Sequence, residues 1–424
     1  MFRFLRCLAA CLAVSFLSDG AWLSDSWAQT RTGQKSRAAK ARSNATVNYE
    51  AEARLIEVYR LIGAGKSREA LGLSSQLVAD FPHFQLAQLI HGDLLSLQTK
   101  PIKTFGDIPA TMNKNGTVAA LTELREESVQ RFRALRDRPQ AGTVPSQLLG
   151  LSTRNKHVIA VDASKSRLYL LSNSPQGLHL VADFYISVGK SGISKYLEGD
   201  LKTPLGIYYL TTPIDPKLLA PLYGGGALPI NYPNPFDLRL GKTGSGIWLH
   251  GSPPERYSRQ PKSTDGCIVL ANPDLQKLMA TVAIKTTPVI IASQLQWLTP
   301  VQLQPERRQF EASLDAWRAA KNNGQAELLY SFYAADFNNY GRTLKDWWPS
   351  VAQSLKMAHR RPFQWHEVAV LLWRTEPGSK NPNVMVVTYD EYSPGIKQPT
   401  TKRQYWVQAG NQWKIFFEGA IATS

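Results

Sequence analysis

A cysteine and a histidine, each beside a glycine, are the residues of this chain best suited to chemistry. Cys267 follows Gly266, and His250 precedes Gly251. An imidazole can take the proton of a thiol, and the resulting thiolate is the species that attacks an amide carbonyl. The two residues therefore predict a cysteine nucleophile with His250 as its base. Taken alone, a single cysteine is also compatible with an inert, buried hydrophobic role.

The remaining two cysteines lie in an N-terminal segment that is typical of a secretory signal peptide. Residues 1–28 contain an early pair of arginines, a short apolar run and a small-residue cleavage site. Cleavage would remove Cys7 and Cys11 and leave Cys267 as an unpaired thiol in an oxidising compartment. We therefore expect an exported, periplasmic protein.

The composition narrows the classes of partner. The net charge of +16 favours anionic surroundings such as a cell wall or another anionic polymer. The basic residues are spread along the chain without a nucleic-acid motif, so we expect no nucleic-acid partner. No later segment approaches the ~20 apolar residues of a membrane span. The seven histidines form no metal motif and no phosphate-binding loop is present, so no metal or cofactor is expected.

Changes in apolar spacing divide the rest of the chain. Residues 29–46 are polar and basic and predict a disordered linker. Residues 47–140 have helical spacing that resembles tetratricopeptide hairpins, although ordinary helix packing explains it equally well. Residues 152–293 alternate as strands do, and a long irregular stretch from Thr212 to Gly246 could form a lid or a wall of a substrate site. Asn272 or Asp274 is expected to cap a short helix after Cys267.

The C-terminal segment, residues 303–424, has helices first and strand-like stretches afterwards. This order indicates an α+β domain, and its pattern resembles the NTF2-like cone. Most of the chain's tryptophans lie here. They could line a pocket for a wall fragment, but packing in a hydrophobic core explains them better.

Residues 152–293 resemble the catalytic domain of the YkuD-like L,D-transpeptidase family. The resemblance depends on Thr203–Gly206 before a strand, on His250–Gly251, and on Thr264–Cys267. It implies an α+β multidomain chain with an N-terminal helical region, a mainly-β catalytic domain and a C-terminal NTF2-like cone. In this family a cysteine attacks a peptidoglycan stem peptide at the carbonyl of its third residue.

The resemblance also implies roles for individual residues. Cys267 would be the nucleophile, His250 its base, and the Gly251 carbonyl would orient the imidazole. The amides of Gly266 and Cys267 would stabilise the oxyanion. Basic and polar residues near the cysteine are candidates for substrate binding, although the charged ones could equally be solvated loop residues. They are Arg256, Tyr257, Arg259, Thr264 and Asp265.

Two positions depart from the commonest form of the family. Asp265 replaces a second histidine, and Val269 replaces an arginine that follows the cysteine. A carboxylate beside the thiol disfavours the thiolate unless it points away. The loss of the arginine removes a cation that could organise the site.

The resemblance therefore implies a cell-wall enzyme whose partners are peptidoglycan stem peptides. An amine of a second stem would resolve the acyl-enzyme in an L,D-transpeptidase, whereas water would do so in an L,D-carboxypeptidase. A non-catalytic scaffold that binds the wall is the third alternative. The helical region is available for a wall-associated protein partner.

Overall fold

The structure is a computed structural model that describes residues 50–107, 115–358, 362–376, 378–394 and 396–421. The expected signal peptide, with Cys7 and Cys11, and the expected linker at residues 29–46 lie outside the described residues. No helix in the described ranges is both long enough and apolar enough to span a bilayer.

The N-terminal region is helical, as predicted. Its helices are α1 (Glu50–Gly63), α2 (Ser67–Asp80), α3 (Gln85–Ser96) and α4 (Asn115–Arg136). The apolar spacing of α1 to α3 places Leu55, Leu77 and Ile90 in one shared core. α2 ends directly before Phe81 and Pro82, because proline disfavours the helical conformation of the residue that precedes it.

The middle of the chain is mainly β-structure. Its elements are β1 (Val144–Pro145), β2 (Leu148–Gly150), β3 (His157–Asp162), β4 (Arg167–Ser174), β5 (Gly177–Tyr185), β6 (Val188–Gly189), β7 (Gly206–Tyr209), β8 (Ala227–Pro229), α5 (Pro235–Arg239), β9 (Trp248–His250), β10 (Lys262–Thr264), β11 (Ile268–Val269), α6 (Asn272–Thr281), β12 (Pro288–Ala292) and β13 (Trp297–Leu298). A five-stranded sheet has the order β5-β4-β3-β12-β7, and a three-stranded sheet has the order β11-β9-β8. The smaller sheet contains the strands that bear the candidate site.

The stretch from Thr212 to Gly246 is more ordered than its sequence indicates. It contains β8, which pairs antiparallel with β9 so that Leu228 lies opposite Leu249. β8 is three residues long and ends in a proline, so it has no alternating pattern that could reveal it. The prediction of a wholly irregular stretch is wrong at this point.

The C-terminal part is an α+β cone, as predicted. It consists of α7 (Pro300–Asn322), α8 (Ala326–Ser331), β14 (Tyr333–Asn339), β15 (Arg342–Thr343), α9 (Leu344–Ala358), β16 (Gln364–Trp373), β17 (Val384–Tyr392), β18 (Thr400–Ala409) and β19 (Gln412–Ala420). One face of its sheet packs on the helices around the fully buried Trp317 and Trp406. These tryptophans are therefore core residues.

The opposite face of that sheet packs against the mainly-β domain. Leu371, Tyr405 and Phe417 of the sheet share one hydrophobic core with Leu171 and Tyr208 of the mainly-β domain. β2, from the mainly-β domain, extends the sheet by pairing antiparallel with β16. The two domains are therefore joined by a common core as well as by hydrogen bonds.

Candidate active site

The strand register brings the predicted nucleophile and base to one face of the small sheet. β11 pairs in parallel with β9, with Val269 opposite His250. Cys267 directly precedes β11 and is two residues before Val269, so continued strand alternation would place its side chain on the same face as His250. The strand register therefore sets Cys267 one residue outside the strand that lies beside His250.

The ring of His250 is held in one orientation. The carbonyl oxygen of Gly251 lies 2.8 Å from Nδ1 and can only accept, so Nδ1 donates and Nε2 is left as the acceptor. The residue is buried, and burial lowers the pKa of His250 to about 4; the Gly251 hydrogen bond opposes this shift, and the charge of Arg259 adds to it. His250 is therefore neutral at neutral pH, as a general base must be.

Cys267 is a free, half-buried thiol. Burial raises its pKa; the Trp248 amide and the charge of Arg259 act in the opposite direction, while Asp265 adds to the increase. The sulfur lies 3.5 Å from the carbonyl oxygen of Gly246. This environment favours the neutral thiol over the thiolate.

A direct prediction concerns alkylation of Cys267. Because its thiol pKa is raised, we expect iodoacetamide to react more slowly at about pH 7 with the folded protein than with the protein unfolded in urea. The folded rate should rise only above the ordinary thiol range, near ~8.5. Time-resolved mass spectrometry of the Cys267 peptide measures both rates, and the unfolded sample is the control. Faster reaction in the folded state at about pH 7 would contradict a protonated resting thiol.

The turn before the nucleophile is held by two threonine hydroxyls. Thr264 is buried; its Oγ1 donates to the Cys267 carbonyl at 2.7 Å and accepts from the Gly266 amide at 3.1 Å. Thr203 Oγ1 donates to the Gly266 carbonyl at 2.9 Å. Thr264 therefore shapes the turn and is not positioned for substrate binding. Since the Gly266 amide is already bonded, Cys267 supplies the one amide of the expected pair that has no partner among the described residues.

Glycine is required at position 266. Its φ of +128° lies in the region that side-chain-bearing residues rarely adopt. A Cβ at this position would lie 2.8 Å from the Lys202 carbonyl oxygen, which is too close. The backbone geometry next to the thiol therefore depends on the absence of a side chain.

The carboxylate of Asp265 points to solvent. Its side chain is 76% exposed and forms an ion pair with Lys190 at 2.9 Å. The aspartate is thus directed away from the sheet and partly neutralised, which weakens its effect on the thiol.

Arg259 supplies positive charge near the thiol and the imidazole. Nη2 of Arg259 donates to the Ser263 carbonyl at 2.6 Å, and the carbonyl of Arg259 accepts from the Tyr185 hydroxyl at 2.9 Å. The charge of Arg259 affects both His250 and Cys267. Val269, at the position where the family commonly has an arginine, is buried. Arg259 thus places a cation near the site from a different segment.

Tyr257 and Arg256 lie elsewhere. The Tyr257 ring packs on Phe84, with 4.4 Å between centroids, and its amide donates to the His83 carbonyl at 3.0 Å. Tyr257 therefore connects the helical region to the mainly-β domain, and its expected role in substrate binding stays a prediction. Arg256 is exposed and lines a small surface cavity beside His83.

Sequence reasoning missed two residues of this site. The Tyr223 ring lies edge-on to His250, with 5.0 Å between centroids, and forms a wall of the site. Asn272 accepts from the Gly225 amide and donates to the Ser252 carbonyl, both at 2.8 Å. It is the first residue of α6 and not its cap, a role that Ala271 fills. The three consecutive glycines that follow Tyr223 were the one sequence signal that could have pointed to this segment as part of the site.

The described residues contain no group of three potential metal ligands. The polar side chains near Cys267 are instead bonded to the backbone or to each other, as the preceding distances show.

Comparisons with known proteins place this geometry in context. Residues 156–291 match the family model of the YkuD L,D-transpeptidase catalytic domain, and residues 309–419 match that of the Cds6 C-terminal NTF2-like domain. A comparison with curated proteins finds no match. These two family matches agree with the fold class that the sequence predicts.

Two solved structures share most of their length with this chain. Bd1075 of Bdellovibrio bacteriovorus is 26% identical, with a TM-score of 0.55, over 66% of this chain and 99% of Bd1075. The helical cell shape determining protein Pgp2 of Campylobacter jejuni is 24% identical, with a TM-score of 0.52, over 65% of this chain and 95% of Pgp2. The second likeness concerns the fold alone.

Proposed function

We propose that the chain is a peptidoglycan L,D-transpeptidase, because residues 156–291 match the model of the L,D-transpeptidase catalytic domain and residues 309–419 match that of the Cds6 C-terminal NTF2-like domain. It would act through a cysteine acyl-enzyme on the stem tetrapeptide. The observation that carries the proposal is the parallel pairing of β9 and β11, in which Val269, two residues after Cys267, lies opposite His250.

The first half-reaction follows from the two neutral groups. Nε2 of His250 takes the thiol proton as the sulfur of Cys267 attacks the carbonyl of the third stem residue. The unpartnered Cys267 amide is the expected donor to the oxyanion, a contribution of about 3 kcal/mol per donor in other enzymes. The tetrahedral intermediate then expels D-alanine, whose amine receives the proton from His250, and a thioester remains on Cys267.

The second half-reaction decides the product. An amine of a neighbouring stem attacks the thioester, and His250 takes its proton. The C–S bond then breaks, His250 returns the proton to the departing Cys267 sulfur, and a new amide cross-links the two stems. Arg259 and Lys190 are the cations that we assign to substrate carboxylates, because both lie at the Cys267 turn. The half-buried thiol is also accessible to water, so the alternative product is the trimmed tripeptide of an L,D-carboxypeptidase.

Product analysis tests the proposal. Purified wall muropeptides are digested with the protein and weighed by mass spectrometry. Cross-linked dimers formed with loss of D-alanine support transpeptidation, whereas tripeptides alone support the carboxypeptidase alternative. If neither product appears from folded protein, the scaffold alternative is favoured.

A further inference from the structure

A cavity of about 820 Å³ lies between the mainly-β domain and the face of the C-terminal sheet that packs against that domain. One wall comes from the segment that runs from Asn231 to Arg239, and the other comes from β14, β18 and β19. None of its lining residues belongs to the candidate active site. A volume of this size holds a ligand of many atoms, well beyond a few waters.

The inner surface of this cavity presents hydrogen-bond donors without partners. Arg403 is 7% exposed; its Nε donates to Thr388 at 2.9 Å, and its two terminal nitrogens have no partner among the described residues. The hydroxyl of Tyr405 is buried and forms no hydrogen bond there, although the Asn231 side chain lies nearby. A buried hydroxyl is normally paired, because an unpaired one costs free energy. The Tyr405 hydroxyl thus lacks an acceptor, and the terminal nitrogens of Arg403 remain available to one.

The charge of Arg403 is also uncompensated. Its guanidinium lies over the Tyr209 ring, with 3.2 Å from Cζ to the centroid, and no described carboxylate forms an ion pair with it. The other cation of the cavity, Arg239, already pairs with Asp336 at 2.6 Å. One free guanidinium beside a phenol and an amide suits a single carboxylate better than a doubly charged phosphate.

The rest of the cavity is apolar and aromatic. Phe416, Phe417, Tyr340 and Leu238 line it, and the last two are largely exposed at its rim. Such walls accommodate the non-polar body of a ligand while the donors hold its carboxylate.

We infer that this interdomain cavity binds a peptide carboxylate, specifically the C-terminal carboxylate of a second stem peptide on the same wall polymer. The carboxylate chemistry follows from the cavity itself, whereas the choice of a wall stem rests on the proposed function. A polymer held at the cavity would raise the effective concentration of its other stems at Cys267. The cavity would thus favour polymeric wall over isolated muropeptides.

Binding measurements on the full chain test this inference. We use Cys267→Ala protein, to prevent turnover, and titrate a disaccharide-tripeptide by calorimetry. Arg403→Gln in this background should remove one binding event or weaken it at least about tenfold, as expected for loss of a charge-assisted pair. Tyr405→Phe, which keeps the ring, should weaken it a few-fold. Arg342→Gln, at an exposed arginine of the same domain, is the matched control and should bind as the parent does.

Two further ligands in the same titration identify which carboxylate the cavity binds. The same muropeptide with its C-terminal carboxylate amidated should lose the Arg403-dependent event. The disaccharide without a peptide still has a carboxylate on its muramic acid; Arg403-dependent binding of this glycan that equals the tripeptide's would overturn the assignment to a stem peptide. Unchanged binding in both Arg403→Gln and Tyr405→Phe would overturn the site altogether.

Turnover separates this inference from the proposed function. With Cys267 intact, Arg403→Gln should process small soluble muropeptides at the parent rate but polymeric wall several-fold more slowly. Equal losses on both substrates would contradict a polymer-binding role. If the parent protein has no turnover, the proposed function fails, while the calorimetry still decides whether the cavity binds a carboxylate.

Discussion

Substitution of Cys267 by alanine is expected to reduce release of D-alanine from stem tetrapeptides by about 10⁴-fold or more, because the nucleophile of a covalent mechanism has no substitute. D-Alanine release and muropeptide masses measure this loss. The same variant should gain no mass from a carbapenem, whereas the parent protein should form a covalent adduct at Cys267.

The fold of the variant can be checked independently. Cys267 is half-buried and its side chain is small, so Cys267→Ala should unfold close to the parent midpoint. Arg342→Gln, which lies outside the site, should retain full turnover and adduct formation. Residual turnover of Cys267→Ala within tenfold of the parent would exclude the acyl-enzyme mechanism.

The second large effect concerns a buried charge network that connects the helical region to the catalytic domain. Arg131 on α4 bonds Glu52 of α1 at 2.7 Å and Glu127 at 2.8 Å. Glu52 in turn bonds Arg167 of β4 at 2.8 Å, and Ser258 donates to Glu127 at 2.8 Å. Ser258 directly precedes Arg259. The network therefore extends from α1 to the segment beside the thiol.

Arg131→Met is expected to destabilise the protein by roughly 3–5 kcal/mol, because it leaves two carboxylates buried without their common partner. Methionine keeps most of the apolar volume of the arginine side chain, so the decrease in the free energy of unfolding reports the loss of its charge. Urea unfolding measures the free energy. Arg136→Met is the matched control: Arg136 is exposed, pairs only with its neighbour Asp137, and should leave the unfolding midpoint unchanged. Equal midpoints for the two variants would contradict a structural role for the network.

The same network makes stability depend on pH. Burial by itself would raise the pKa of Glu52, but Arg167 and Arg131 lower it from 4.5 to about 2. A carboxyl group whose pKa is lowered on folding stabilises the fold fully above its unfolded pKa. That contribution is lost as the pH falls from 4.5 towards 2, and Arg131→Met should show a smaller loss over this range.

The sequence was sufficient to predict the elements with local patterns. β3 and β4 are short apolar runs on either side of a turn, and α1 to α3 have clear helical spacing, so each was predictable. Cys267 and His250 could be singled out as candidates because each lies in a short motif of neighbouring residues. Their catalytic roles stay predictions until turnover is measured.

Features that depend on distant contacts could not be predicted. Tyr257 is a plausible substrate ligand in a basic segment, and only the fold shows its ring against Phe84 of the helical region. The sequence offers several basic residues before the cysteine as possible cations of the site. The fold shows that the charge of Arg259 acts on the thiol. The interdomain cavity has no sequence signal, because its walls come from segments more than 90 residues apart, such as Arg239 and Asp336.

The pairing of β2 with β16 has a consequence for dividing the chain into parts. A fragment that begins at the C-terminal domain lacks Leu148–Gly150, and so leaves the backbone groups of β16 without their neighbour. Such an open strand is a template for self-association. The C-terminal domain expressed alone should therefore tend to aggregate through that edge, whereas a fragment that begins at Val144 and keeps both domains should not.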